Sequence, residues 1–349
     1  MMKRRVTALL LCGALAVSMF AGCGSKVDKT ATVATLGEKE VSLGVANFMA
    51  RIQQAQYDDF YVSYFGEEVW RTDMYGYGTT MEDDMKSSVM QSLNAMYAMQ
   101  EKASDYGVVL SSEDEAAISA AAEAFLSSNS AEAIEALGAT QEIVEEYLSL
   151  VTIQARMYDE IIKDADTNVT DEEANMSAYS YVRVSRSTYV DEEGNSVEHT
   201  EETLAELATT MEAFMAAVEA DGLDAAAEAS GYNVYEGTFN AESTGIATEV
   251  MAALETLAEG EVSGLIETDT QYYVVRFDAE TDEEATESNR QTIISERQSA
   301  LYTEVVEGYM AEFEWTVNED VWEQVSFDNL FTIIAPSTET VSTESTEAN

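Results

Sequence analysis

The chain opens with one unbroken apolar run, and beyond it the apolar residues recur mostly at helical spacing. Met1-Met2-Lys3-Arg4-Arg5 precedes the apolar run, which extends from Val6 to about Phe20 and ends in Phe20-Ala21-Gly22-Cys23. A basic start, a short apolar segment and small residues at a cut site predict a secretory signal peptide over residues 1–22. The run is shorter than the roughly 20 residues that a stable membrane-spanning helix needs.

Cys23, directly after Ala21-Gly22, resembles the lipobox of bacterial lipoproteins, in which cleavage precedes a cysteine that is then acylated. Phe20 departs from that motif, which usually has Leu at this position. Cys12 would leave with the signal peptide, so Cys23 would be the only thiol and no intramolecular disulfide could form. We expect lipidation at Cys23 and a lipidated linker over residues 23–32. An ordinary signal peptide with an incidental cysteine is the alternative.

Residues 33–177 are predicted to be mostly helical, after a short strand–turn–strand at 33–43. Capping boxes at Ser112–Glu115 and Thr170–Glu173 indicate two helix starts, and Thr140 indicates a third. The apolar positions that share helix faces are Phe48, Ile52 and Ala55; Met85, Val89, Leu93, Met96 and Tyr97; Ile118, Ala121, Ala122 and Phe125; and Val144, Leu148, Val151, Ala155, Tyr158 and Ile162.

The pattern changes at about residue 178. Tyr179–Arg186 and Tyr272–Phe277 are rich in aromatic and β-branched residues and predict strands. Between them, a second helix is expected at roughly 246–258, followed by a tight turn at Gly260–Gly264. The helix before it is indicated by apolar residues at helical spacing, Leu204, Leu207, Met211, Met215 and Val218. Residues 178–280 therefore predict a small α/β module.

The chain then returns to helical spacing. A long helix is predicted at about 284–312 and a short one around 318–326, so residues 281–330 should complete the first, helical domain. Residues 331–349 are rich in Ser, Thr and Glu and are expected to be a disordered tail. The predicted fold class is α+β, a helical domain with a small α/β module inserted in it.

Composition limits the chemistry. The formal net charge of −50 excludes nucleic acid and a basic grip on anionic lipid, because both need basic patches. Hydrophobic residues make up 46% of the chain, enough for real cores. His199 is the only histidine, and Cys23 is expected to be lipidated, so the chain lacks the ligands of a zinc site. We therefore expect no metal and no cofactor. The acidic turn at Asp191 is a weak candidate for calcium.

The order of segments resembles the PrsA-type foldases and SurA-like chaperones, which have a helical chaperone domain and a parvulin-like prolyl isomerase module. The resemblance implies that residues 178–280 form a four-stranded sheet flanked by helices. The best local match is Leu257–Thr268, which contains Gly260-Glu261-Val262-Ser263. Leu43–Phe48 is similar to the start of the family's chaperone domain. The resemblance implies an extracytoplasmic foldase that binds unfolded exported proteins and is held on the outer face of the cytoplasmic membrane.

The parvulin-like module departs from the family at its histidines. Tyr181 stands where the first strand carries one histidine, and Tyr273 stands where the last strand carries the other. The family's pocket Met and Phe align with Ile246 and Val250, and with Leu257 these form the expected substrate pocket. In the family, the two histidines belong to a hydrogen-bond network beneath the pocket. Tyrosine hydroxyls both donate and accept hydrogen bonds, so Tyr181 and Tyr273 could keep part of that network. Alternatively, both are ordinary half-buried strand residues, and activity is then weak or absent.

Three functions follow from these observations. The first is a chaperone or foldase with a weak or inactive isomerase module, and the second is an active prolyl isomerase that uses Tyr181 and Tyr273. The third is a solute-binding lipoprotein, which would have two α/β lobes around a cleft. Met81, Met85, Met90, Met96 and Met99 lie on one helical stretch and are either core residues or a surface for clients. The oligomeric state stays open, with a dimer as one alternative.

Overall fold

The computed structural model describes residues 14–18 and 27–334. The helices are α1 (Leu43–Phe65), α2 (Met81–Lys102), α3 (Ser112–Ser128), α4 (Ala131–Leu137), α5 (Gln141–Ile161), α6 (Asp171–Ala174), α7 (Glu201–Asp221), α8 (Leu223–Ser230), α9 (Thr248–Leu254), α10 (Glu283–Glu312) and α11 (Glu319–Trp322). The strands are β1 (Ala14–Ser18), β2 (Thr32–Leu36), β3 (Lys39–Ser42), β4 (Ser177–Ser185), β5 (Thr188–Val190), β6 (Ser196–Glu198), β7 (Tyr235–Phe239), β8 (Ile266–Glu267), β9 (Gln271–Ala279), β10 (Trp315–Val317) and β11 (Leu330–Ile334).

The described chain forms two compact units, and the α+β fold class is confirmed. The first unit runs up to Ala165 and resumes at Ser299, and the second comprises Asp166–Gln298. Helix α10 begins in the second unit and ends in the first. No helix among the described residues is long and apolar enough to span a membrane. Cys23 and residues 335–349 lie outside the described residues.

The first unit is built around α1, whose predicted apolar face is confirmed. Phe48, Ile52 and Ala55 are all buried and join one core with residues of α2, α3, α4 and α5. The strand–turn–strand expected at 33–43 is the hairpin β2–β3, and β10 adds a third antiparallel strand beside β2. Strand β10 was not predicted, because three residues directly after a helix leave too little alternation to identify a strand.

Most of the methionines on α2 are core residues. Met81, Met90, Met96 and Met99 are buried, and Met85 is half-buried against the same core. Their spacing follows the helix, so they fill the space between α2 and its neighbours. The methionines of α2 therefore do not form a surface for clients.

The helix caps agree with the sequence at Thr140 and Thr170, and α3 starts one residue earlier than predicted. Ser111, not Ser112, is the N-cap, and its hydroxyl accepts a hydrogen bond from the Asp114 N–H at 3.3 Å. The Asp114 carboxylate in return accepts the Ser111 N–H at 2.8 Å. Asp114 also pairs with Arg156 of α5 at 2.6 Å, which fixes this carboxylate rather than Glu115 in the capping position.

The end of the described chain is attached to α1 and α2 by side chains. Lys86 donates to the carbonyl of Val325 at 2.7 Å, and Glu82 accepts the N–H of Phe327 at 3.1 Å. Further along, Gln54 donates to the carbonyl of Asn329 at 2.7 Å. These side chains satisfy backbone groups that a neighbouring strand would otherwise satisfy.

Asp58 completes this attachment from inside the core. Its carboxylate accepts hydrogen bonds from the Phe331 N–H at 2.7 Å, the Trp70 indole N–H at 2.6 Å and Gln54 at 3.2 Å. Asp58 is 1% exposed. Helix α1, the segment after it and β11 thus converge on one buried carboxylate.

Strand β11 also pairs with β1, in antiparallel register from Ala14↔Ile334 to Ser18↔Leu330. Strand β1 lies inside the predicted signal peptide, so cleavage before Cys23 would remove this partner and leave the side-chain attachments to α1 and α2. The first residues of the predicted tail, 331–334, are part of β11, because Phe331 is buried against the core.

The second unit contains the predicted four-stranded sheet, in the order β7-β4-β9-β8 with all neighbours antiparallel. One face packs on α7 and α8, and the other packs on α9. The strand expected at Tyr179–Arg186 is β4, and the strand expected at Tyr272–Phe277 is β9. Strand β7, helix α8 and the exposed hairpin β5–β6 were not located in the sequence. The second helix is shorter than predicted, Thr248–Leu254.

Replacing Asp58 by Asn should lower the free energy of unfolding of the first unit by about 1–3 kcal/mol at neutral pH. An amide keeps one acceptor oxygen but turns an N–H group toward a donor, so a buried hydrogen bond is lost. Urea unfolding followed by tryptophan fluorescence measures the change, since Trp70, Trp315 and Trp322 are the only tryptophans and all lie in the first unit.

The loss of stability should also depend on pH. Burial raises the pKa of Asp58 from 3.8 to about 6, so the folded chain takes up a proton as the pH falls from about 6 to about 4 while the unfolded chain does not. This carboxyl therefore adds stability at low pH and loses it as the pH rises. The difference between wild type and Asp58→Asn should widen on acidification, and a constant difference would contradict the assignment. Asp191→Asn, in the second unit, should leave the tryptophan transition unchanged.

Candidate functional site

Tyr181 and Tyr273, the residues at the expected histidine positions, lie on the same face of the four-stranded sheet. Side chains alternate along a strand, which places Tyr179, Tyr181 and Arg183 on one face of β4. In the antiparallel pairing of β4 with β9, Tyr273 lies opposite Arg183, and Tyr181 lies opposite Val275. Both tyrosines are half-buried and pack in the cluster beneath α9. The structure thus brings the two predicted site residues together.

Four tyrosines form one continuous group, which we call the tyrosine cluster: Tyr179, Tyr181, Tyr235 and Tyr273. The ring of Tyr181 stacks on Tyr179 and on Tyr235, each with centroids 5.4 Å apart, and lies 6.2 Å from the ring of Tyr273. Tyr235 is directly opposite Tyr181 in the β4–β7 pairing. In the described part of the chain, no hydrogen bond links the hydroxyl of Tyr181 to that of Tyr273, and their contact is between rings.

Helix α9 and its flanking residues form the apolar wall beside the tyrosine cluster. Ile246 and Leu257, just outside the two ends of α9, are half-buried, and both belong to the same cluster as Tyr181 and Tyr273. Val250 is 2% exposed, as is Leu254 one turn later. Val250 therefore supports the site from below, while Ile246 and Leu257 keep surface that a ligand can touch.

The Gly260–Ser263 segment fixes this wall against the last long strand. The Gly260 N–H donates to the Phe277 carbonyl at 2.6 Å, and the Phe277 N–H donates to the Glu261 carbonyl at 3.0 Å. Ser263 donates its N–H to the Val275 carbonyl at 2.8 Å and accepts the Val275 N–H on its hydroxyl at 3.0 Å. Gly260 has φ +81°, a conformation that favours glycine. This pairing explains why the motif stands directly before the last strand.

The electrostatics of the cluster suit binding more than proton transfer. Burial, with the neighbouring Tyr181 and Tyr273, raises the pKa of Tyr179, so its phenol stays neutral at physiological pH. The guanidinium of Arg183 lies 5.1 Å from the ring centroid of Tyr235 and places a positive charge at the cluster's edge. Stacking surface, hydroxyl donors and an apolar wall can hold an extended segment containing proline or aromatic residues. None of these side chains is a carboxylate, histidine or thiol that could act as a general base or nucleophile.

The opposite face of the sheet carries a polar network with a structural role. Arg276 donates to Asp278 and to Asp224 of α8, each at 2.5 Å, and to the Ser180 hydroxyl at 3.2 Å. Ser180 is 3% exposed and donates to Asp278 at 2.5 Å. The network joins β4, β9 and α8 and so holds the two central strands in register.

Residues that sequence analysis set aside have structural partners. The His199 ring contacts Tyr189 with centroids 4.9 Å apart, and its Nδ1 lies 3.1 Å from the Thr203 hydroxyl at the start of α7. The Asp191 carboxylate accepts the N–H groups of Glu193 and Asn195, so it closes its own turn. Within residues 14–18 and 27–334, no group of three His, Cys, Asp or Glu side chains is arranged to hold a metal ion.

Tyr179 and Tyr235 were missed as site residues because β7 was not located. The stretch Tyr235-Glu236-Gly237-Thr238-Phe239 is short and contains a glycine, which weakens the strand pattern. The glycine is itself informative, since a Cβ at position 237 would lie 2.7 Å from the ring of Tyr179. Gly237 therefore allows the Tyr179 ring to lie against β7, and the period of two linking Tyr235, Gly237 and Phe239 was the available signal.

Residues 185–288 match the family model of the PPIC-type PPIase domain. The matched stretch contains Tyr273, Tyr235 and the α9 wall, and it begins four residues after Tyr181. The prediction of a parvulin-type domain is confirmed by this match. No curated protein matches the chain significantly.

Solved structures of foldases and chaperones are similar to the chain. The foldase PrsA from Lactococcus lactis is 16% identical, with 85% of this chain and 99% of that chain covered and a TM-score of 0.31. The peptidylprolyl isomerase PrsA from Bacillus cereus is 16% identical, with 70% and 92% covered and a TM-score of 0.31. A SurA-like chaperone structure from Campylobacter jejuni is 8% identical, with 82% and 99% covered and a TM-score of 0.28.

Gly237→Ala should displace the Tyr179 ring and destabilise the second unit by about 1–3 kcal/mol, because overpacking forces neighbours to shift. Near-ultraviolet circular dichroism of the tyrosines should change, and the thermal unfolding temperature of the second unit should fall. Gly264→Ala is the matched control, since a Cβ at position 264 would meet nothing within 4 Å. If both variants unfold like the wild type, the close approach of Tyr179 to β7 is not a constraint.

Proposed function

We propose that this protein is an extracytoplasmic foldase that binds unfolded exported proteins, with a PPIC-type domain of weak or absent isomerase activity. The observation that carries the proposal is the tyrosine cluster beside the α9 wall, within and next to the stretch that matches the PPIC-type PPIase domain. An apolar, aromatic surface with hydroxyl donors is suited to holding extended polypeptide. This binding requires no catalytic residue.

The weak isomerase activity follows from the side chains that occupy the site. Rotation about a prolyl bond crosses a barrier of roughly 20 kcal/mol without making or breaking a covalent bond, so the enzyme must favour the twisted form. Tyr181 and Tyr273 meet through their rings, 6.2 Å between centroids, instead of through a hydrogen bond. Two rings in tilted contact can hold the substrate but do not provide the polar network that histidines at these positions are expected to form.

The second candidate is an active prolyl isomerase in which Tyr181 and Tyr273 replace the histidines. It is favoured by their common position on the sheet face and by hydroxyls that both donate and accept. A solute-binding lipoprotein is not favoured, because the helical first unit and the antiparallel sheet do not form two α/β lobes.

A protease-coupled assay on a short X-Pro peptide should give at most a rate about tenfold above the uncatalysed one, equivalent to about 1.4 kcal/mol of barrier. The same protein should suppress aggregation of an unfolded client. Tyr181→Ala with Tyr273→Ala should weaken suppression, while Tyr189→Ala, an exposed tyrosine on β5, should not. A large isomerase rate that the double variant abolishes would establish the second candidate instead. No suppression at excess protein would count against a foldase.

We also propose that a lipid on Cys23 anchors the protein to the outer face of the membrane. The lipobox-like Ala21-Gly22-Cys23 and the polar residues that follow support this anchor. Several acyl chains at one site hold a protein more firmly than the marginal binding of a single chain. The anchor would keep the foldase where exported chains emerge unfolded.

Cys23→Ala should abolish incorporation of labelled palmitate in a bacterial host and move the protein from the detergent phase to the aqueous phase of Triton X-114. Cys12→Ala is the matched control, because Cys12 lies within the predicted signal peptide and should not affect either result. Unchanged labelling of the Cys23 variant would disprove the anchor without affecting the foldase proposal.

A further inference from the structure

A second aromatic surface lies in the first unit, at the end of α1 and in the loop that follows it. We call it the aromatic surface, and its members are Tyr57, Phe60, Tyr64, Phe65, Tyr75 and Tyr77. Their exposed fractions are 42%, 56%, 72%, 54%, 59% and 82%. Among the residues whose exposure the structure describes, only four other large hydrophobic residues are exposed, namely Val109, Tyr189, Val190 and Tyr235. Such a concentration of exposed aromatic area marks an interaction site.

The aromatic surface is held in place from beneath. Tyr61, half-buried at its centre, stacks on Tyr57 with centroids 5.4 Å apart and contacts the buried Trp70 edge-on at 5.7 Å. The Trp70 indole donates to Asp58 at 2.6 Å. Burial raises the pKa of the Tyr61 phenol, and the neighbouring Tyr75 of the loop and Tyr57 of α1 add to that rise. The rings of the surface thus rest on the core of the unit.

The loop that carries Tyr75 and Tyr77 is itself ordered. The Asp73 carboxylate accepts the N–H groups of Gly76, Tyr77 and Gly78 at 2.7, 3.1 and 2.9 Å. The rings of Tyr75 and Tyr77 stack with centroids 6.1 Å apart. Ordered tyrosines present a large contact area at little cost in conformational entropy, which is the property of a binding surface.

The charge around the aromatic surface is negative. Exposed acidic side chains near it in sequence are Glu67, Glu68, Asp73 and Asp83. Arg71, the only base between residues 53 and 84, is paired with Glu68 at 3.2 Å and with Asp328 at 2.5 Å. The surface therefore attracts a partner that combines apolar and basic groups.

The aromatic surface is distant from the point where the chain leads to Cys23. The Leu43 N–H donates to the Ala31 carbonyl and the Gly44 N–H to the Lys29 carbonyl, so residues 29–31 lie at the first turn of α1. A helix rises 1.5 Å per residue, which puts Tyr57 to Phe65 about 20–33 Å further along. Residues 29–31 and the aromatic surface are therefore at opposite ends of α1.

We propose that the aromatic surface binds unfolded segments that carry aromatic and basic side chains, and so selects the clients of the first unit. This inference rests on the proposed foldase function and adds a second client site, outside the PPIC-type domain, to the tyrosine cluster. An anionic membrane is a poorer occupant, because the acidic rim repels its headgroups. A second copy is also disfavoured, since a two-fold interface would bring the two acidic rims together.

Fluorescence anisotropy with a short labelled peptide that alternates Phe and Lys tests the proposal on the full-length protein. Tyr64→Ser, Phe65→Ser and Tyr77→Ser combined should weaken binding at least about tenfold, as expected when exposed anchor side chains are lost. Tyr189→Ser with Val190→Ser, which removes exposed apolar area from the β5 strand, should leave the affinity within about twofold. Circular dichroism of both variants should match the wild type, because the substituted side chains are exposed.

Matched peptides establish the chemistry of the partner. Replacing Phe by Ser, or Lys by Glu, in the peptide should each reduce binding, and added salt should weaken the Phe–Lys peptide more than a Phe–Ser one. If the triple variant binds the peptide as the wild type does, the aromatic surface does not bind clients, although the proposed foldase function is unaffected. If the wild type binds no peptide and suppresses no aggregation, the proposed function itself fails.

Two further outcomes would overturn the proposal in favour of another partner. Sedimentation velocity would show a wild-type dimer that the triple variant converts to a monomer if the surface joins two copies. Vesicles of phosphatidylglycerol and phosphatidylcholine would retain the wild type but not the triple variant if the surface meets a membrane. With Cys23→Ala in both proteins, the lipid anchor does not contribute to that measurement.

Discussion

The first unit depends on one constraint, which is that a carboxylate and three neighbouring side chains must satisfy the backbone of a returning segment. Lys86, Glu82, Gln54 and Asp58 contact residues 325, 327, 329 and 331 in turn. The alternation follows the period of an extended chain, so two helices provide what a neighbouring strand would provide. The cost is the burial of Asp58, whose pKa rises to about 6. The aromatic surface also depends on this carboxylate, because Trp70 is fixed by it.

The helices and the two long strands were predictable because their signals are local. The apolar face of α1 and the caps at Thr140 and Thr170 follow from spacing within a few residues. The attachment of residues 325–331 was not predictable, since nothing in that stretch indicates which helices will supply its hydrogen-bond partners. Strand β7 was missed because it contains Gly237, which leaves room for the Tyr179 ring of β4 and at the same time weakens the strand pattern. The predicted start of α3 was one residue too late. Arg156, on α5, pairs with Asp114 and so makes Asp114 the partner of the N-cap residue.

The candidate site shows the same division. Tyr181 and Tyr273 were placed by comparison of short motifs, and the sheet register brings them to one face. The motif could not indicate that Tyr235 and Tyr179 extend this pair into a stacked group, because both depend on pairing with β7. Val250 was expected to contact substrate, and it lies on the buried face of α9, where it supports the wall from within. Two aromatic surfaces in two units, one edged by Arg183 and the other by acidic groups, have different charge preferences.

The return of the chain to α1 has a consequence for the time at which each unit can fold. The bonds that close the first unit join residues between 239 and 275 positions apart, whereas the second unit is continuous from Asp166 to Gln298. A chain that emerges from its amino end can complete the second unit first, while α1 to α5 wait for the last segment. During that interval the helices expose the faces that residues 322–331 will cover. The proposed foldase therefore passes through a client-like state of its own before it can receive clients.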